Sequence, residues 1–197
     1  MKPALVLLAA GASKRLGTCK ALVDLGGASP LARLLEAGAC LDEVPALVVA
    51  GADHEAIAAA LPASAELLHH RAWAAGRSGG IAHAARVRPG RDLCLAPVDV
   101  PLVGAPVFAA LEGAWRAAGA PGHGWLAPRV GTRHGHPLVI GRELVAALEN
   151  EPPDTPLSAL CCRAAPLLEV LLEAREVLDD LDRPADLQRL RARFPGT

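Results

Sequence analysis

An α/β fold built on a mostly parallel, doubly wound sheet is predicted by two features of the sequence. Apolar runs of about five residues, at 4–8, 45–50, 65–68 and 92–98, alternate with helix-length segments of ten or so residues. The chain also carries the composition of a packed helix-on-sheet protein. Hydrophobic residues make up 52% of it while aromatics make up only 3%, so Ala, Leu and Val must fill the core. A length of 197 residues fits one domain, residues 1–197.

The elements follow in order. Residues 4–8 form a buried strand that runs straight into Gly11-Ala12-Ser13-Lys14-Arg15-Leu16-Gly17, a cationic glycine loop, followed by the short apolar stretch 21–25. Ser29 caps a helix over 30–40 with Pro30 at its first position. Residues 45–50 form the second strand, Asp53 caps a helix reaching Leu61, and 65–68 form the third. A helix over 78–87 precedes the fourth strand, 92–98, which ends at Asp99. A helix over 105–118 leads to strands at 125–130 and 137–140 around the 131–135 turn. Helices at 142–148 and 157–164 are separated by the proline-rich break 151–156. Strands at 167–172 and 176–178 precede a last amphipathic helix over 184–193.

Charge and cysteine content exclude several classes. A net charge of −1 gives no basic footprint for nucleic acid, and scarce aromatics leave few platforms for stacked bases. No stretch approaches the roughly 20 apolar residues of a membrane span. The odd count of five cysteines, without a C-x-x-C pair, suits a reduced, cytoplasmic protein. Met1-Lys2 and the following run imitate a signal peptide in outline, but that run is short and leads into a loop with a folded role.

Five segments carry chemistry. In the opening loop, glycines allow close backbone approach, while free N–H groups with Arg15 and Lys20 can neutralise an anion. The loop is neither G-x-G-x-x-G nor a P-loop, because Gly17 is followed by Thr18-Cys19-Lys20. Asp99, at a strand end between Pro97 and Pro101, can hold a divalent metal or cap a turn. The run from Asp179 to Asp186 is acidic and precedes a proline-started helix, a common capping arrangement. In Arg133-His134-Gly135-His136-Pro137 the H-x-H pair lacks a nearby third zinc ligand, so a flexed substrate loop or a plain hairpin turn remains. The turn through Gly76-Arg77-Ser78 enters a helix and presents backbone N–H groups to an anion or a base edge.

Taken in order, Leu8-Ala9-Ala10-Gly11-x-Ser13-x-Arg15-Leu16-Gly17-x-x-Lys20, Asp99-x-Pro101, Gly135-His136-Pro137 and Asp180-x-Asp182-x-Pro184-x-Asp186 resemble the molybdopterin nucleotidyltransferases. The molybdenum cofactor cytidylyltransferases are the most similar branch, and Ala10 fits it where guanylyltransferase relatives carry glycine. The resemblance spans about residues 4–190. Cys19 departs from the usual proline, His70 from an asparagine and Arg183 from a threonine.

The resemblance implies a three-layer Rossmann-like nucleotidyltransferase fold with a mostly parallel mixed sheet. It implies transfer of a nucleoside monophosphate, CMP from CTP favoured, to the terminal phosphate of molybdopterin or another phosphorylated acceptor, with Mg²⁺ as cofactor. Leu8, Ala9, Ala10, Gly11, Ser13, Arg15, Lys20, Gly76, Ser78 and Asp99 then contact the nucleotide. Arg15, Lys20 and Asp99 are the catalytic set, Asp99 and Asp182 the metal ligands, and Gly135, His136 and Pro137 the acceptor side. A molybdenum enzyme or its chaperone is the implied protein partner. Guanylyl transfer, a sugar- or alcohol-phosphate acceptor, and a non-catalytic cofactor-binding chaperone are the alternatives.

Overall fold

The computed structural model describes residues 1–41 and 43–194. Its centre is a mixed eight-stranded sheet formed by β1 (Ala4–Ala9), β2 (Ala46–Ala50), β3 (Ala65–His69), β4 (Leu93–Pro97), β5 (Trp125–Val130), β6 (Arg133–His134), β7 (Leu138–Ile140) and β8 (Leu167–Leu171). The strand order is β3-β2-β1-β4-β7-β5-β6, with β8 paired to β5. The β1–β2, β2–β3, β1–β4 and β5–β8 pairs are parallel, whereas β7 runs antiparallel to both β4 and β5. This is the mostly parallel mixed sheet that the sequence predicts.

Strand alternation divides the core into two layers. Leu5, Leu7 and Ala9 of β1 join one cluster, and Ala4 and Val6 join the other. The first cluster lies under α1 (Pro30–Ala37), α2 (His54–Ala60) and α4 (Ala105–Ala117), through Leu31, Ile57 and Phe108. The second lies under α3 (Arg77–Val87), α5 (Arg142–Ala146) and α6 (Leu157–Cys161), through Ile81, Leu144 and Leu160. Central strands buried on both faces account for the uninterrupted apolar runs in the sequence.

A third, small cluster fastens the opening loop. Leu16, Val23 and Leu25 pack with Leu181 and with Leu190 of α7 (Pro184–Arg191). Leu16 is therefore buried although its neighbours Arg15 and Gly17 are exposed. The C-terminal helix holds the glycine loop to the segment that carries Asp182.

Three local expectations differ from the structure. Residues 176–178 lie in a 3-10 turn (Arg175–Leu178) and not in a strand. There the Val177 carbonyl accepts the His136 N–H at 3.0 Å, and only Val177 of the turn is buried. Asp53 makes no side-chain cap on α2, whereas Ser29 does cap α1 through the Ala32 N–H at 3.2 Å. The 131–135 turn contains a short paired segment, β6, on Val130 and Arg129 of β5.

Candidate active site

In this strand order the chain leaves β1 in opposite directions toward β2 and β4, so the carboxyl ends of β1 and β4 flank a switch point. An open cleft of about 330 Å³ lies there. One wall is the end of β1 and its loop (Leu8, Ala9, Ala10, Gly11, Ser13, Lys14, Arg15, Cys19 and Lys20). Pro97, Val98 and Asp99 from the end of β4 form another. His70, Trp73 and Gly76 come from the β3–α3 connection, Arg77 and Gly80 from the first turn of α3, and Asp182 completes the lining.

The loop keeps its shape through a few backbone devices. Ser13 has a positive φ of 49°, and its carbonyl accepts the N–H groups of Leu16 and Gly17, each at 3.0 Å. Gly17, at φ 80°, supplies the left-handed position that closes the turn. The Ser13 hydroxyl accepts the Lys20 N–H at 3.1 Å, which fixes where Lys20 begins. Ser13 thus orders the loop that it also helps to line.

Arg15 and Lys20 converge on one carboxylate. Arg15 Nη2 lies 2.8 Å from Asp182 Oδ2, and Lys20 Nζ contacts Asp182 Oδ1. The Lys20 hydrogen bond, reinforced by the charges of Lys20 and Arg15, holds the Asp182 carboxyl below its ordinary range. Asp182 is presented by the start of α7, where the Asp186 carboxylate accepts the N–H groups of Asp182 (3.1 Å) and Arg183 (2.9 Å). Leu181 N–H donates to the Asp99 carbonyl at 2.7 Å, so the β4 end and the α7 entrance are joined directly.

That junction gathers negative charge. Burial pushes the Asp180 carboxyl up, and the neighbouring charges of Asp99 and Asp182 push it further. Among the described residues no group of three or more His, Cys, Asp or Glu side chains could hold a metal ion by itself. Asp99 and Asp182 both line the cleft, and one or two carboxylates completed by water and substrate phosphates are a usual shell for a hard divalent cation.

Most residues expected at the site meet in this cleft: Leu8, Ala9, Ala10, Gly11, Ser13, Arg15, Lys20, Gly76, Asp99 and Asp182. Ser78 does not line it. Its side chain is buried and its hydroxyl donates to the Thr155 carbonyl. Gly135, His136 and Pro137 are also outside the lining, and Gly135 and Pro137 are buried. A Cβ on Gly135 would fall on the Val177 carbonyl oxygen, which explains glycine there as a close backbone approach. His136 is half-buried. Its Nδ1 is buried with no hydrogen-bond partner among the described residues, and burial lowers its pKa against the opposing pull of Asp99. His134 turns away and meets Glu169 on β8, which removes it from any H-x-H metal pair.

Several lining residues have no role assigned to them by the sequence. Arg77, the first residue of α3, and Lys14 add cations to the cleft. His70 is buried, its Nε2 has no hydrogen-bond partner among the described residues, and its ring lies close to the Gly79 and Gly80 backbone. The Cys19 thiol is pushed up to about 11, first by burial and then by the charge of Asp53, so it remains a neutral thiol. Only the glycine pair after Arg77 hinted at such close packing.

The model of the MobA-like NTP transferase domain matches residues 5–167, and the chain belongs to that family of nucleotidyltransferases. None of the curated proteins compared with the chain matches it. Solved structures share its fold. Rv0371c from Mycobacterium tuberculosis H37Rv has a TM-score of 0.79 at 23% identity, with 98% of each chain covered. That protein is also known as a manganese complex. Molybdopterin-guanine dinucleotide biosynthesis protein A from Archaeoglobus fulgidus gives 0.75 at 19% identity, covering 98% of this chain and 99% of the other. The 2-C-methyl-D-erythritol 4-phosphate cytidylyltransferase from Thermus thermophilus gives 0.67 at 20% identity, with 98% of each covered.

Proposed function

We propose that the chain transfers CMP from CTP to the terminal phosphate of a phosphorylated acceptor such as molybdopterin, releasing pyrophosphate. The observation that carries this reading is the gathering of the cations Arg15 and Lys20 and the carboxylates Asp99 and Asp182 in one switch-point cleft, with Asp182 paired to both cations. The triphosphate lies over residues 11–17, with Leu8, Ala9, Ala10 and Gly76 along the nucleoside. Arg15 and Lys20 neutralise phosphate oxygens. Asp99, with Asp182 as second ligand, would hold Mg²⁺, which would offset charge on the reacting phosphates.

A phosphate nucleophile is already ionised near neutral pH, so no side-chain base is needed. Positioning and charge neutralisation supply the rate. Gly135, His136 and Pro137 shape the acceptor side through the His136 ring, which feels the charges of both Asp99 and Arg77. A molybdenum enzyme or its chaperone is the proposed recipient of the product. Ala10 favours CTP. The family likeness to a protein of molybdopterin-guanine dinucleotide synthesis supports GTP as the second reading.

Asp99→Ala is expected to abolish Mg²⁺-dependent pyrophosphate release from CTP and acceptor while leaving the circular dichroism spectrum unchanged. Near-normal turnover by that variant would sink the metal assignment.

A further inference from the structure

Asp182 occupies an unusual place for a metal ligand. Both of its carboxylate oxygens are engaged by the cations expected to grip phosphate, Oδ2 by Arg15 at 2.8 Å and Oδ1 by Lys20. Lys20 is the more demanding partner, because its side chain is only 14% exposed against 64% for Arg15. A cation so placed needs an anion close by. The carboxylate is not delivered by a floppy surface chain. The Asp186 carboxylate pins its backbone, and the Leu16, Leu181 and Leu190 cluster pins the loop to α7.

An oxygen that neutralises Lys20 or Arg15 cannot also serve a divalent ion at full strength. The two roles of Asp182 therefore exclude one another. A phosphate entering the loop needs the same donors that Asp182 now holds.

We infer that Asp182 is an internal stand-in for phosphate, neutralising Arg15 and Lys20 without nucleotide and yielding them to the triphosphate as it turns to the divalent cation. The inference rests on the nucleotidyltransferase reading for the identity of the incoming anion. Its consequence is a coupling between metal and polyanion. Without metal, a polyphosphate must displace Asp182 and leave that carboxylate unpaired. With metal, Asp182 has a new partner and the cations are released to the phosphates.

Calorimetric titration of the full chain with inorganic pyrophosphate tests this, first in a chelator and then in Mg²⁺. Asp182→Asn is expected to bind metal-free pyrophosphate about tenfold tighter than wild type, the scale of one hydrogen bond to a charged group. The affinity gain that wild type shows on adding Mg²⁺ should shrink in this variant. Asp182→Ala should behave alike, which covers the case of an asparagine oxygen still accepting from Lys20. Adding Lys20→Ala to Asp182→Asn should remove the extra affinity, tying it to the uncovered cation. Metal-free binding by both Asp182 variants that equals or falls below wild type overturns the inference. A wild type that binds none of the four nucleoside triphosphates in Mg²⁺ would instead overturn the nucleotide reading, since the pyrophosphate comparison involves no nucleotide.

Discussion

Asp92 shows how much one buried side chain can organise. It is 7% exposed, and its Oδ2 accepts the Trp115 indole N–H at 2.9 Å. Its Oδ1 accepts the backbone N–H of Arg142, also at 2.9 Å, and its own carbonyl accepts the Ala4 N–H at 2.8 Å. One residue thus joins β1, β4, α4 and α5 at the edge opposite the cleft. Asp92→Ala strands a buried indole donor and a helix N-terminus, so a loss of about 3 kcal/mol is expected. Urea unfolding would read it, and a change below about 1 kcal/mol would show that water replaces the carboxylate. The sequence marks Asp92 only as the start of a strand, because its partners lie 23 and 50 residues away. The same reason hides the Ser78 bond to Thr155, which draws that hydroxyl away from the cleft. Arg15, Lys20 and Asp99 were legible because loop chemistry and strand ends leave local traces.

At the scale of elements, the entrance to α7 links fold and site. Asp186 receives two backbone N–H groups there and lies 3.5 Å from Arg189, and these contacts hold its carboxyl below the ordinary range, the Arg183 N–H foremost. Asp186→Ala should cost about 1 kcal/mol, as for other helix caps. Because the folded pKa is depressed, this contribution is present throughout the neutral range. It is lost only as the pH falls below the ordinary Asp value of about 3.9. Denaturation of wild type and variant at several pH values should therefore give a constant gap down to about pH 4 that closes in stronger acid. A gap already closed at pH 5 would mean that the cap is not the source. Elements with strong apolar runs, β1, β2 and β4, were plain in the sequence because two-sided burial forces continuous hydrophobicity. Residues 176–178 were not, since an apolar pair after Glu176 reads locally as a strand, whereas the Val177 and Asp179 N–H groups donate to the Ala174 and Glu176 carbonyls within a 3-10 turn and the Val177 carbonyl accepts from His136.

Over the whole molecule, strand order converts distant segments into one cleft. Residues 8–20, 70–80, 97–99 and 182 meet because β1 lies between β2 and β4 and α7 folds back over the opening loop. The alternation of strands and helices predicted a doubly wound sheet, but local periodicity carries no information on the antiparallel insertion of β7 or on β8 as partner of β5. Those pairings set the far half of the sheet, with Gly135 and His136 in the connection between β6 and β7 and outside the cleft lining. A ligand bridging the β1 loop, the β4 end and the α7 entrance would link parts of the fold that unfolding must separate, and mass action then raises the melting temperature. At a concentration 100-fold above its Kd, a nucleotide with Mg²⁺ should add about 2.7 kcal/mol. For a chain of this size that amounts to about 5 to 10 °C. Melting with each of the four nucleoside triphosphates ranks the bases, with CTP expected highest. A larger shift with GTP would move the assignment to guanylyl transfer. Equal shifts with inorganic triphosphate and all four nucleotides would mean that the wall formed by Leu8, Ala9, Ala10 and Gly76 holds no base at all.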